Sequence, residues 1–343
     1  MRRTELARSG VTVSTLAFGA AALGNLYFPV GEDAATATVD AAWEAGIRYF
    51  DTAPHYGLGL SERRLGQALA GRPRGEFTVS TKVGRLLEPL AQSGGDDLVH
   101  GFAVPATHRR VWDFSADGVL RSIDASLRRL GLDSIDIVYL HDPDDHMAQA
   151  LREGYPALER LRAEGVVGAI GAAMNQAEAL TCFVRETDAD VVLLAGRYTL
   201  LDQGALAELL PAAAARGTSV VVGGVFNSGL LADPQPGATY NYAPASPLLI
   251  ERALEMQMVT ERHGVPLRAA ALHFPFGHPA VASVLTGARS AAEVRDATAL
   301  LSDSLPDALW DDLLASGAIP AAVPTPKAGP GVATTSVANL RGS

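Results

Sequence analysis

Short apolar runs alternate with amphipathic stretches along nearly the whole chain. The runs fall at 15–18, 47–50, 77–81, 135–140, 168–172, 191–194, 219–222 and 281–285. Most are continuously apolar, as in Val191-Val192-Leu193-Leu194. A strand covered on both faces reads this way, because neither face meets water. Between the runs, apolar residues recur with helical spacing at 34–45, 61–70, 117–130 and 205–215. Gly46, Gly71, Gly131 and Gly217 stand where these helices should stop, at the position that favours a left-handed backbone. Ser115, with Asp117 behind it, predicts a capped helix start. Eight strand–helix units in 343 residues predict a closed (β/α)8 TIM barrel. A doubly wound sheet would place a G-x-G-x-x-G turn after its first strand, and Gly19-Ala20-Ala21-Ala22-Leu23-Gly24 lacks that spacing.

Three segments break the rhythm. Residues 3–13 alternate polar and apolar positions around Arg8-Ser9-Gly10, which predicts an N-terminal β-hairpin capping the barrel floor. Residues 84–114 and 225–246 are long connections after strands. Both are expected on the catalytic face of a barrel. The first carries His100, Phe102, His108 and Trp112, the second Tyr240 and Tyr242. Residues 1–319 read as the barrel domain, and 320–343, rich in Pro, Ala, Gly and Thr, as a disordered tail.

Composition narrows the partners. A net charge of −10 disfavours nucleic acid, whose phosphates need a basic face. No apolar run approaches the roughly 18–20 residues of a membrane span. Met1-Arg2-Arg3-Thr4-Glu5 has no apolar leader character, so a cytoplasmic location is expected. The single cysteine, Cys182, permits no intrachain disulfide.

Asp51, Tyr56, Lys82 and His141 stand at, or just past, the ends of three successive apolar runs. Neighbouring parallel strands would bring all four to one end of the sheet. An ammonium within about 4–6 Å of a phenol lowers the phenol's usual value near 10, and Lys82 is the group to do it for Tyr56. Asp51 would keep Lys82 charged and aimed, and His141 would hydrogen-bond the substrate oxygen. Each residue alone has a plainer role: Asp51 as a helix cap, Tyr56 as a turn aromatic, His141 as a loop residue. Together they form a proton-transfer set for an alcohol or carbonyl, with no metal implied. A metal-dependent hydrolase built on His55, His141, Asp142, Asp145 and His146 would want a His-x-His strand end, which does not occur.

The run Phe50-Asp51-Thr52-Ala53-Pro54-His55-Tyr56-Gly57, with Ser61-Glu62-Arg63-Arg64-Leu65-Gly66, Ser80-Thr81-Lys82 and the stretch ending at His141, resembles the signature of the aldo-keto reductases. The resemblance runs from about residue 3 to 316. It implies a barrel, a nicotinamide cofactor extended across the strand ends, and Tyr56 as general acid or base. Gly57-Leu58-Gly59-Leu60-Ser61-Glu62, Thr81-Lys82-Val83-Gly84-Arg85 and Gly224-Val225-Phe226-Asn227-Ser228-Gly229 are most similar to the sugar 1-dehydrogenase branch. That branch includes L-fucose and D-threo-aldose dehydrogenases, and pyridoxal 4-dehydrogenase is a near relative.

The same resemblance assigns cofactor contacts to Gly19, Ala20, Asp51, Asn175, Gly223, Val225, Phe226, Asn227, Gly287, Arg289 and Glu293. It also exposes departures. Met174 replaces a serine beside Asn175, Ala195 a glutamine, and Gly223 a stacking tyrosine. Phe226 is a candidate replacement for that aromatic. Glu293 stands where NADPH-selective relatives often carry arginine, which points to NAD, with Arg289 leaving NADP open. Tyr27, His108, Trp112 and Tyr240 are candidates to line a sugar pocket. The expected reaction is oxidation of an aldose such as L-fucose at its anomeric carbon to a lactone. A pyridoxal-type dehydrogenase, an aldehyde or ketone reductase, and a non-catalytic cofactor-binding subunit remain as alternatives, and the oligomeric state is open.

Overall fold

The computed structural model describes residues 1–326 apart from Ala7, Ser93 and Tyr242. Each of the eight expected runs forms a strand: β1 Leu16–Gly19, β2 Tyr49–Asp51, β3 Thr78–Val83, β4 Ile135–His141, β5 Val167–Met174, β6 Val191–Ala195, β7 Ser219–Gly223 and β8 Val281–Gly287. Every strand lies parallel to the next in sequence, and β8 closes the barrel on β1 through Val284↔Leu16 and Leu285↔Ala17.

The continuous apolar runs have two burial partners. Ala17, Tyr49, Ile137, Tyr139, Ala169, Val191 and Val221 point into the barrel and pack on one another. Phe18, Phe50, Val138, Ile170, Val192 and Val220 point outward and pack under the helices. Alternate residues therefore face different shells, and both shells are buried. The hairpin Arg3–Glu5 with Thr12–Ser14 forms as expected and sends Leu6 and Val13 into the inner shell, closing the floor.

The main surrounding helices are α1 Glu32–Glu44, α2 Leu60–Leu69, α3 Ala116–Leu130, α4 Tyr155–Ala163, α5 Ala177–Glu186, α6 Leu209–Arg216, α7 Pro247–Arg262, α8 Leu267–His273, α9 Ala291–Ser302 and α10 Asp307–Ala315. Ser115 caps α3 by accepting from the Gly118 N–H at 3.0 Å. Gly131 and Gly217 end α3 and α6 with φ of 64° and 66°. Gly71 does not take that role: it lacks a positive φ, and α2 ends at Leu69. The helix expected from 205 begins instead at Leu209, after a separate turn at Gly204–Leu206. Pro211 accounts for the late start, because its missing N–H and ring bulk are tolerated only in a first turn.

Gly66 of α2 is a packing contact. A Cβ there would lie 2.0 Å from the Leu130 carbonyl oxygen at the end of α3. Gly66→Ala should therefore cost about 1–3 kcal/mol through overpacking. A thermal midpoint equal to wild type would contradict that close approach.

The two long connections carry structure of their own. Between β3 and α3 the chain forms two hairpins, Arg85–Pro89 with His108–Trp112 and Asp96–Asp97 with Phe102–Pro105. The other pairs Thr239–Tyr240 with Ala243–Pro244. Past residue 319, Val323 is buried, and the Pro324 carbonyl sits where a Gly277 Cβ would be. Residues 327–343 of the expected tail, and Tyr242, lie outside the described residues.

Candidate active site

The four strand-end residues converge. Lys82, the penultimate residue of β3, is 2% exposed and donates from Nζ to Asp51 Oδ2 at 2.7 Å and to the Thr52 carbonyl at 2.8 Å. The other Asp51 oxygen accepts from Ser80 Oγ at 2.6 Å. Ser80 Oγ lies 3.1 Å from Tyr49 OH, which is 3.0 Å from Tyr139 OH. A buried ammonium–carboxylate pair is tolerable only with its remaining bonds satisfied, and this chain supplies them.

Tyr56 reaches the pair from the turn after β2. Its ring centroid is 4.8 Å from Lys82 Nζ and 6.1 Å from the His141 ring, which stands at 89° to it. The turn is held by backbone contact with Gly24. A Gly57 Cβ would be 2.2 Å from the Gly24 carbonyl oxygen, and a Gly24 Cβ 2.6 Å from the Tyr56 carbonyl carbon. Neither glycine has room for a side chain, and Gly57 also has a φ of 60°.

The Ser61-Glu62-Arg63-Arg64 stretch acts as framework. Ser61 Oγ donates to the Ala20 carbonyl at 2.7 Å. Buried Glu62 accepts from Thr81 and Arg129, and Arg64 from α2 donates to the Leu23 and Val30 carbonyls.

The electrostatics correct one expectation. Burial pushes the Tyr56 phenol up, and Lys82 pulls it down without compensating, so the phenol sits above its ordinary value rather than below it. Burial alone would depress the Lys82 ammonium, but Asp51 and Tyr56 outweigh it and the net shift is upward. His141 is held well below its usual value by burial, then by Arg85 and Lys82. It is a neutral imidazole with one N–H to give.

These groups line a cavity of about 960 Å³. Tyr27 and Trp112 are in its wall, as expected of pocket aromatics. Trp112 lies over the Arg85 guanidinium, which pairs with Asp142. His108 and Tyr240 are not brought to it. Trp112 pairs with Arg85 at the barrel end of its hairpin, whereas His108 pairs with Pro89 at the far end, roughly 13 Å along the strand. The Tyr240 hydroxyl donates to Asp202 at 2.9 Å. His55, Arg85 and Phe102 line or wall the site without having been singled out as substrate contacts.

The opposite wall holds Met174, Asn175, Leu193 and Ala195. Among the described residues the Asn175 amide has no hydrogen-bond partner. An apolar floor with one free amide fits a nicotinamide ring and its carboxamide. Gly19 and Gly223 end β1 and β7 on this face, Ala20 is buried, and Asp51 has both oxygens engaged within the chain. After β7, Gly224, Asn227, Ser228 and Gly229 have positive φ, a sequence of turns that can aim backbone N–H groups at an anion. Val225 is buried, and Phe226, half-buried, packs on the outer core and is not part of the cavity wall. The Asn227 side chain is spent on Thr199 and the Gly196 carbonyl. Past Gly287, the Arg289 guanidinium lies 5.6 Å from the Phe28 ring centre. Glu293 accepts from the Arg289 N–H at 2.9 Å and lies 3.7 Å from its guanidinium.

Comparison with known proteins agrees with this arrangement. A model described as the aldo/keto reductase family matches residues 15–315. D-threo-aldose 1-dehydrogenase of a Pseudomonas species is 46% identical over 92% of this chain and 97% of its own. Pyridoxal 4-dehydrogenase of Microbacterium luteolum is 40% identical over the same shares, 92% and 97%. A holo-form aldo-keto reductase from Bacillus halodurans superposes with a TM-score of 0.74 at 28% identity, covering 94% of this chain and 98% of that one.

Proposed function

The chain belongs to the aldo/keto reductase family of NAD(P)-dependent oxidoreductases, and from that premise we propose that it oxidises an aldose at its anomeric carbon to the lactone. The observation that carries this reading is Tyr56 seated beside the buried Lys82–Asp51 pair at the floor of a cavity walled by aromatic faces and polar tips. Aromatic faces suit a pyranose ring, and polar tips suit its hydroxyls. The 46% identity to D-threo-aldose 1-dehydrogenase supports the same substrate class, with L-fucose among its candidate members.

In this mechanism Tyr56, as phenolate, takes the proton of the anomeric hydroxyl. Lys82 steadies the negative charge on its oxygen, and Asp51 holds Lys82 in place. Neutral His141 donates its N–H to the reacting oxygen. A bound nicotinamide supplies the acceptor for the hydride that leaves C1. Asn175 would hold its carboxamide, and the turns from Gly224 to Gly229 its phosphates. Glu293 supports NAD over NADP: a carboxylate can accept from ribose hydroxyls and repels a 2′-phosphate, and it shares the nearby Arg289.

An aldose panel run with NAD and with NADP, read by reduced-cofactor absorbance, tests both assignments. Pyridoxal belongs on the same panel, because the 40% identity to pyridoxal 4-dehydrogenase favours it as the second reading. Turnover of pyridoxal with none of any aldose would replace the first reading by the second.

The raised Tyr56 value sets a pH signature. Below it the residue is a phenol, an acid ready for carbonyl reduction; above it a phenolate, the base that oxidation needs. Oxidative kcat/KM should rise about tenfold per pH unit from pH 6 towards 10, while the reductive rate stays flat and then falls. His141, held low, adds no limb near neutrality. An oxidative profile that declines across this range is incompatible with Tyr56 as base.

A further inference from the structure

Asp97, Arg110 and His55 form a linked set that the proton chemistry leaves unused. Asp97, 4% exposed, takes a two-pronged contact from Arg110, with Nη1 to Oδ1 at 2.8 Å and Nη2 to Oδ2 at 2.6 Å. Arg110 then donates from Nε to His55 Nδ1 at 2.5 Å and from Nη2 to the His55 carbonyl at 3.0 Å. A guanidinium has donors only, so His55 Nδ1 must be bare. The neutral ring therefore carries its hydrogen on Nε2. No described residue accepts from that nitrogen, and the ring lines the cavity. Its centroid is 6.1 Å from that of Tyr56 and 5.9 Å from that of His141, and Phe102 braces it edge-on at 5.1 Å.

We propose that His55 is a substrate-specificity residue, whose Nε2–H donates to a hydroxyl oxygen on the carbon next to the reacting carbon. Arg110, held flat by Asp97, is the positioning residue that fixes the tautomer. The proposal rests on the oxidoreductase reading above and deepens it: the preferred substrate is a 2-hydroxy aldehyde or its cyclic form. A second donor beside Tyr56 and His141 can engage only a substrate with a second oxygen there. The ring's surroundings keep it in the donor form. Burial, then Arg85, Arg110, His100 and Lys82, push its value down to about 2, while Tyr56 and His141 face it as rings and Asp97 acts on it only through Arg110. Asp142 lies beyond Arg85, with which it pairs.

The experiment compares reduction of lactaldehyde and propanal, which differ by the 2-hydroxyl, and reads the imidazole nitrogens by NMR. Wild type should prefer lactaldehyde, and His55→Phe should cut the ratio of the two kcat/KM values about tenfold, the worth of one hydrogen bond. His55→Gln, which keeps an N–H at similar reach, should restore part of it. The His55 nitrogens, assigned by difference against His55→Phe, should show the Nε2–H tautomer from pH 5 to 8. Arg110→Met should turn that signal into a tautomer mixture that titrates in mild acid. An equal fall on both aldehydes in His55→Phe, or an Nδ1–H signal in wild type, overturns the proposal. A wild type that reduces neither aldehyde overturns the substrate role alone, whatever the NMR tautomer; the aldose oxidation reading falls only if the aldose panel also shows no turnover.

Discussion

Tyr56→Phe is expected to lower turnover by about three orders of magnitude while leaving cofactor affinity within about twofold. The substitution removes one oxygen. The ring can keep its place against Phe102 and His141, at centroid distances of 6.1 Å in both cases. The turn that carries it is set by backbone contact between Gly24 and Gly57, which the change does not touch. The loss would therefore fall on the proton step alone, in both reaction directions. Steady-state rates together with NADH fluorescence titration separate the two effects. A Tyr56→Phe enzyme within tenfold of wild type would assign the proton to another group.

Lys82→Met should cost activity and stability together. It leaves Asp51, itself 2% exposed, as a buried carboxylate with Ser80 as its one remaining partner among the described residues. Removing one member of such a pair typically costs about 3–5 kcal/mol. The upward shift of Lys82 adds stability that is complete below the ordinary lysine value and fades only as pH climbs past the folded one, so denaturation at neutral pH reads the whole pair. The double variant Lys82→Met, Asp51→Asn should recover part of the stability and none of the turnover. Tyr56→Phe should unfold like wild type. If Lys82→Met proved as stable as wild type by urea denaturation, the buried pair would not be the support inferred for it.

The barrel was legible because its strands are short, apolar and buried on both faces. Asp51, Lys82 and His141 were legible because strand ends in a barrel must converge. Helix boundaries were less so: nothing in Ala205-Leu206-Ala207 announces that Pro211 delays the helix to Leu209. The direction of the Tyr56 shift depends on how much water the fold removes, and the residue sequence does not state that quantity. Asp97 and Arg110 lie far along the chain from His55 and meet it through a hairpin whose register no local pattern encodes. His108 and Trp112 looked equivalent in sequence, and only the pairing of that hairpin distinguishes its base from its tip. Phe226 likewise offered an aromatic at the right distance from β7, but the turn at Gly224 sends it to the outer core.

The excursion between Val83 and Ala116 supplies Arg85, Leu98, His100, Phe102 and Trp112 to the cavity wall, and Arg110 behind His55. Both of its ends belong to one strand–helix unit, while the proton set sits on β2, β3 and β4 beneath it. The molecule thus gathers much of its cavity wall on one cassette, with Tyr27 and His55 outside it, and keeps its reaction parts in the chassis. Rewriting the cassette as a single block would reshape that part of the wall and leave the proton set untouched.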